Sequence, residues 1–283
     1  MTGRRLLALA LLAAALPFAA AHAATDGGNE RAVLTYAINL GGLEIGTAEV
    51  VVTLGEDVYA AEAQVTSAGL FGRLMSMTTT ARSTGAWTAD GPRPTVHRSD
   101  TLWRGERRSV ELEYGPPDDA PRAEVLPPPS VEEREPVPEG ARAGTVDPMS
   151  GILALMSAGL DGDGGPVPIY DGRRMYTLDL GTLTPTTIAT AAYDGTGWRG
   201  TIGYERKYGA WRGSPFRRDS GTGSAEVEIA PGSAFGLPLA VPARVQVDTF
   251  TFGGLVVLLT DVRRLPPAPS DRDQTASTVC ETC

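Results

Sequence analysis

From Val33 to Val262 the chain is written in short runs that alternate apolar and polar side chains, with glycine or proline between them at intervals of roughly 8 to 12 residues. A period of two sends successive side chains to opposite faces, so each run has one face for a core and one for solvent. Such runs have to pair with one another, because a lone strand leaves its backbone donors and acceptors unmet. The pattern therefore predicts a large antiparallel β structure joined by short turns.

The mature chain begins with Leu34, Tyr36, Ile38 and Leu40 on one face of a strand, followed by a Gly41-Gly42 turn. In the next run Leu43 and Ile45 fall on odd positions, whereas Ala48, Val50, Val52 and Leu54 fall on even ones. That change of phase at Gly46 predicts a β-bulge. Tyr59, Ala61, Ala63 and Val65 mark a third strand, and Thr78 to Trp87 another. Between them Leu70, Phe71, Leu74, Met75 and Met77 break the alternation, as an irregular or one-turn helical cover over a barrel end would. Thr95 to Trp103 and Glu106 to Tyr114 pair as a hairpin across Arg104-Gly105.

One stretch reads as a good helix. Asp147 can accept from the first free amides, Pro148 suits the first helical position, and Met149, Ile152, Leu153, Leu155 and Met156 recur at separations of three and four. Gly159 is placed to end it. A helix this short is unstable alone, so it must lie against a sheet. Val167 to Tyr170, the Asp171-Gly172 turn and Met175 to Leu180 supply a hairpin directly after it. Further strands are expected at Thr186 to Tyr193, at Trp198 to Tyr204 after an Asp194-Gly195-Thr196-Gly197 turn, and at Ala225 to Ile229. Ala243 to Phe250 and Leu255 to Val262 form a last hairpin, with Leu255 to Leu259 apolar enough to be buried on both faces. The fold class that results is mainly β, a curled antiparallel sheet or open β-barrel with one short central helix.

Composition interrupts this pattern in two places. Eight of the 22 prolines fall between Gly115 and Gly140, among acidic residues, which predicts a long exposed insertion that is partly polyproline-like or disordered. From residue 265 to 283 the tail is polar and expected to be flexible. At the other end Arg4 and Arg5 precede an apolar run and Ala21-His22-Ala23, the pattern of a secretory leader spanning residues 1–23. An exported, periplasmic protein that does not span the membrane is the expectation. Loss of Arg4 and Arg5 would take the formal charge from -9 to -11, which weighs against nucleic acid as a partner.

Most familiar catalytic patterns are missing. The mature chain has one histidine, His97, with no GxSxG elbow, Walker loop or dinucleotide-binding glycine motif, and too few histidines for the usual zinc sites. His97 is read as a structural or merely exposed strand residue, and no catalytic residue, metal or cofactor is assigned. Glu44, Glu49 and Glu62 could do acid-base work only if two of them converged, and outward-facing glutamates are the plainer reading. Cys280 and Cys283 have CxxC spacing at the terminus and are read as a local disulfide in an oxidising compartment. Between residues 199 and 218, Arg206, Lys207, Arg212, Arg217 and Arg218 are interleaved with Tyr208 and Trp211, a composition suited to an anionic ligand, although core aromatics with balancing arginines explain it too.

Tyr36 with Gly42-Leu43-Glu44-Ile45-Gly46-Thr47-Ala48, Asp147-Pro148-Met149-Ser150, Val167-Pro168-Ile169-Tyr170-Asp171-Gly172 with Tyr176, and Leu237-Pro238 to Val247 together resemble the bacterial domain of unknown function 3108 family. The resemblance runs from about Arg31 to Arg264, which sets a single β domain over 31–264. It implies an exported β-rich protein with a curled or open barrel, similar to lipoprotein-carrier-like envelope proteins, and brings no catalytic residues. The functional expectation is a non-enzymatic envelope-maintenance, binding or scaffold protein. Its partner is a lipid, another apolar ligand or an envelope protein; a carboxylate-based hydrolase of envelope glycans is the alternative.

Overall fold

The protein is described by a computed structural model that covers residues 30–74, 76–157, 165–212, 221–249 and 253–266. The leader, Gly159, Arg217, Arg218, Cys280, Cys283 and nearly all of the tail lie outside these residues.

Six strands come first: β1 (Glu30–Leu40), β2 (Leu43–Leu54), β3 (Val58–Ser67), β4 (Met77–Thr88), β5 (Gly91–Trp103) and β6 (Glu106–Glu113), with the short helix α1 (Gly69–Leu74) between β3 and β4. Each pairs antiparallel with the next. After β7 (Arg122–Leu126) comes the helix α2 (Pro148–Ser157), and then β8 (Val167–Tyr170), β9 (Met175–Leu180), β10 (Thr184–Ala189), β11 (Asp194–Tyr208), β12 (Thr222–Ala230), β13 (Val241–Thr249) and β14 (Gly253–Leu265). The strands join in one sheet, ordered β7-β6-β5-β4-β3-β2-β1-β14-β13-β12-β11-β9-β8, with β10 attached to β11. Pairing of β1 with β14 joins the two halves, and β7 and β8 are the ends of an unclosed curl.

Local signals account for much of this. Leu34, Tyr36 and Ile38 are buried as the alternation of β1 requires. The β1–β2 register passes from Ile38↔Gly46 to Asn39↔Glu44, so Ile45 is the extra residue of the bulge expected at Gly46. Arg104 and Gly105 take φ of 52° and 86°, the pair of positive values that a two-residue turn of primed type needs. Along β14, Leu255, Val257 and Leu259 are buried and Val256 and Leu258 half-buried, so this strand alternates rather than being buried on both faces.

The concave face of the curl holds α2. Met149, Leu153, Leu155 and Met156 join one core cluster with Tyr36, Tyr59 and Ala61 from one half of the sheet and Leu178, Tyr204, Val227 and Val257 from the other. Ile152, counted above in the apolar stripe, is 36% exposed. Gly151 faces β8 so closely that a Cβ there would lie 2.5 Å from Ile169 Cδ1.

Two further expectations change. The turn after β10 is made by Thr190 to Tyr193, where Thr190 N donates to Tyr193 O, and Asp194-Gly195-Thr196-Gly197 lies inside β11. Glycine is there for close packing: a Cβ on Gly197 would sit 2.4 Å from Ile188 Cδ1 and 2.5 Å from Ile229 O. The proline-rich segment is exposed over most of its length, yet it is built into the sheet's two ends. It supplies β7, then Glu135 N donates to Ala210 O and Arg212 N to Glu133 O beside an Arg134↔Trp211 bridge. Further on, Val146 N donates to Pro168 O and Tyr170 N to Val146 O, along the free edge of β8. Backbone pairing of this strap, rather than composition, fixes its course. A second core of Leu112, Val137 and Tyr170, with Val110, Ala123 and Tyr208 against it, packs the two ends of the sheet together.

Candidate functional site

Two features on the concave face could carry function, a buried polar network at the start of α2 and an apolar cleft along its far side. In the network, Asp147 accepts from Met149 N at 2.9 Å and Ser150 N at 3.1 Å, which is the cap its position predicted. The same carboxylate reaches further. Its Oδ1 accepts from Ser83 Oγ of β4 at 2.6 Å and lies 3.2 Å from His97 Nδ1 of β5, and its Oδ2 accepts from Ser150 Oγ. Ser83 spends its one proton on Asp147, so at 2.8 Å it must accept from His97, which places a proton on Nδ1. By the same count Tyr59 donates to Ser150 Oγ at 2.6 Å.

Serine, histidine and aspartate thus meet without forming a hydrolytic triad. A triad sets the hydroxyl and the carboxylate on opposite ring nitrogens, whereas here both lie at Nδ1. Ser83, Asp147 and Ser150 have no solvent exposure and His97 1%. Burial alone would raise the Asp147 pKa; His97 and the hydroxyls of Ser150 and Ser83 outweigh it and hold the carboxyl below its ordinary value. Tyr59 is pushed upward, first by burial and then by the Asp147 charge. The network ties α2 to β4 and β5 as a structural knot, consistent with the structural role read for His97.

The cleft comes from an irregularity in pairing. β12 and β13 pair from Glu226↔Gln246 to Ala230↔Val241. Beyond that, Thr222 to Ala225 stay with β11 and Val247 to Thr249 stay with β14, so the two strands part. A cleft of about 410 Å³ runs inward at the split. Its floor is Leu178, Ile202 and Tyr204 with Leu255 and Val257, its roof is Ile152, Leu155 and Met156 of α2, and Ser224, Glu226 and Gln246 stand at its mouth. The exposure of Ile152 follows, since that side chain faces the cleft and not a packed neighbour. No signal in the sequence marks the cleft, because the residues lining it obey the same alternation as the filled half.

Among the described residues, the side chains of the basic aromatic stretch take separate partners. Arg199 pairs with Glu228 and Lys207 with Glu205. Tyr208 packs on the second core, Trp211 lies under the Arg134 guanidinium at 5.2 Å, and Arg212 donates to Val131 O at 3.1 Å. Arg206 is half-buried beside Gly221. Glu44 and Glu49 are exposed and Glu62 pairs with Arg82 at 2.8 Å on the outer face, so these three carboxylates do not converge. Among the described residues no helix is long and apolar enough to cross a membrane.

A family model described as Protein of unknown function (DUF3108) matches residues 35–260 of the 283-residue chain. A comparison with curated proteins finds no match. Among solved structures, the crystal structure of a beta-barrel-like protein of domain of unknown function DUF1849 from Brucella abortus is similar, with 12% sequence identity and a TM-score of 0.48 over 84% of this chain and 98% of that one.

Proposed function

We propose that this chain, which belongs to the DUF3108 family, is an exported binding protein of the periplasm that takes the apolar part of an amphiphile into the cleft beside α2. The observation that carries the reading is the cleft itself. Its volume of about 410 Å³ falls within the roughly 300–1,000 Å³ usual for small-molecule sites. Its inner wall is aliphatic and aromatic and its polar groups gather at the mouth, as an occupant with an apolar tail and a polar head would need. Filling it would cover Ile152, which is otherwise an apolar side chain left beside a packed core. The leader read at residues 1–23 supports export, and an acidic mature chain suits soluble transit between membranes. Binding without covalent chemistry fits the sealed state of the Ser83-His97-Asp147 network.

Native mass spectrometry of the mature protein isolated from its own envelope is the direct test, joined to titration of the solvent-extracted protein with a dansyl-labelled fatty acid. The expected results are an added mass lost on extraction and a saturable rise in dansyl emission. Ala225→Trp fills the mouth at the parting of β12 and β13 and should abolish that rise while leaving the unfolding midpoint near that of wild type. A bare polypeptide mass together with no saturable emission, or equal emission from Ala225→Trp, refutes the proposal.

A further inference from the structure

A second concavity lies where the strap crosses the two free ends of the sheet. Arg134 and Arg142 of the strap and Arg173 of the β8–β9 turn line a pocket of about 130 Å³, with Tyr170 and Val137 behind them. We propose that this pocket binds a phosphate group, free or carried on a lipid head group.

The guanidinium groups are held in place by backbone, which leaves donors over. Arg134 Nη1 donates to Gly209 O at 2.6 Å and its guanidinium rests on the Trp211 ring. Arg173 Nη2 donates to Pro127 O at 2.8 Å and Leu126 O at 3.2 Å. Arg142 Nη2 donates to Val137 O at 3.1 Å and its guanidinium lies over Tyr170, 5.4 Å from the ring centre. Arg142 Nε is buried and has no hydrogen-bond partner among the described residues. A buried donor left unmet is costly, and a fork of N–H groups matches the oxygens of a phosphate.

Charge points the same way. Three guanidinium groups face one carboxylate in the pocket, that of Glu135, whose Oε2 lies 3.5 Å from Ala210 N. The neighbouring Arg174 is already matched by Asp171 at 2.6 Å. Burial, with Arg174, Arg173 and Arg206 around it, lowers the Arg134 pKa; burial, then Arg108 and Arg174, lowers that of Arg173. An anion among them relieves that repulsion. The pocket is well under the roughly 300 Å³ of the smallest usual small-molecule sites, so it fits one anionic group and not a whole nucleotide or sugar. Trp211, read from the sequence as part of a surface for an anionic ligand, here supports the Arg134 guanidinium.

Isothermal titration of the full mature chain with inorganic phosphate, at ionic strength held constant with sodium chloride, tests the proposal. One saturable site is expected, weakened at least about tenfold by Arg142→Gln and partly restored in Arg142→Lys, with circular dichroism and unfolding midpoints unchanged. Flotation with vesicles containing phosphatidic acid separates the two sources. Recruitment reversed by excess inorganic phosphate assigns a head group, and phosphate binding without recruitment assigns the free anion. Absence of saturable phosphate binding to wild type, or equal affinity in wild type and Arg142→Gln, overturns the proposal. Should Arg142→Gln fail to fold, Arg142→Lys carries the comparison, since it keeps the charge and loses the fork.

Discussion

Replacing Asp147 with alanine separates a simple helix cap from the knot described above. An ordinary cap costs about 1 kcal/mol when removed. Asp147 also accepts from the hydroxyls of Ser83 and Ser150 and faces Nδ1 of His97, all fully or almost fully buried. Each buried donor left without an acceptor costs about 1–3 kcal/mol, and the hydroxyls recover part of that by turning to new partners. The expected loss for Asp147→Ala is therefore about 4 kcal/mol. Urea unfolding followed by intrinsic fluorescence reads it directly, provided the dependence on denaturant concentration is unchanged. A double-mutant cycle with Ser83→Ala should give a coupling above about 1 kcal/mol, because both substitutions remove the same contact. A loss of about 1 kcal/mol with no coupling would show that the carboxylate caps the helix and nothing more.

Because the folded-state pKa of Asp147 lies below its unfolded value, the unfolded chain binds the extra proton in the window between the two. The contribution of Asp147 is whole above about pH 4 and is lost as pH falls through the depressed folded value, so the stability gap between wild type and Asp147→Asn should narrow below about pH 4 in urea melts. Gly85→Ala would place a Cβ 2.1 Å from Arg93 O at the β4–β5 register shift. A loss above about 2 kcal/mol is expected there, and a neutral result in thermal melts would mean the bulge is not held as described. Gly151→Ala would set a Cβ 2.5 Å from Ile169 Cδ1 and 2.9 Å from its Cγ1, so it should destabilise alone and recover in part with Ile169→Val, which removes the nearer atom, as chemical denaturation of the single and double variants would show.

Short-range patterns in the chain account for the local geometry. Period-two alternation placed β1 to β6, the phase change at Gly46 placed a bulge, Arg104-Gly105 placed a tight hairpin, and Asp147-Pro148 placed the start of α2. Each of these is settled by residues a few positions apart, through backbone sterics and nearby hydrogen bonds. What those elements enclose depends on contacts between segments far apart in the chain. Ser83 and Asp147 lie 64 residues apart in the chain and meet at His97 because the sheet curls around α2. The proline-rich segment has the composition of a loose loop and becomes a strap because the ends of the sheet leave backbone groups for it to pair with. Ala225 and Val247 to Thr249 read as ordinary strand, and the cleft exists because Thr222 to Ala225 pair with β11 and Val247 to Thr249 with β14 rather than with each other. Arg134, Arg142 and Arg173 carry no shared motif; the strap and the β8–β9 turn bring their charges together. Pairing choices between distant segments are matters of packing and closure, and alternation along a strand carries no record of them.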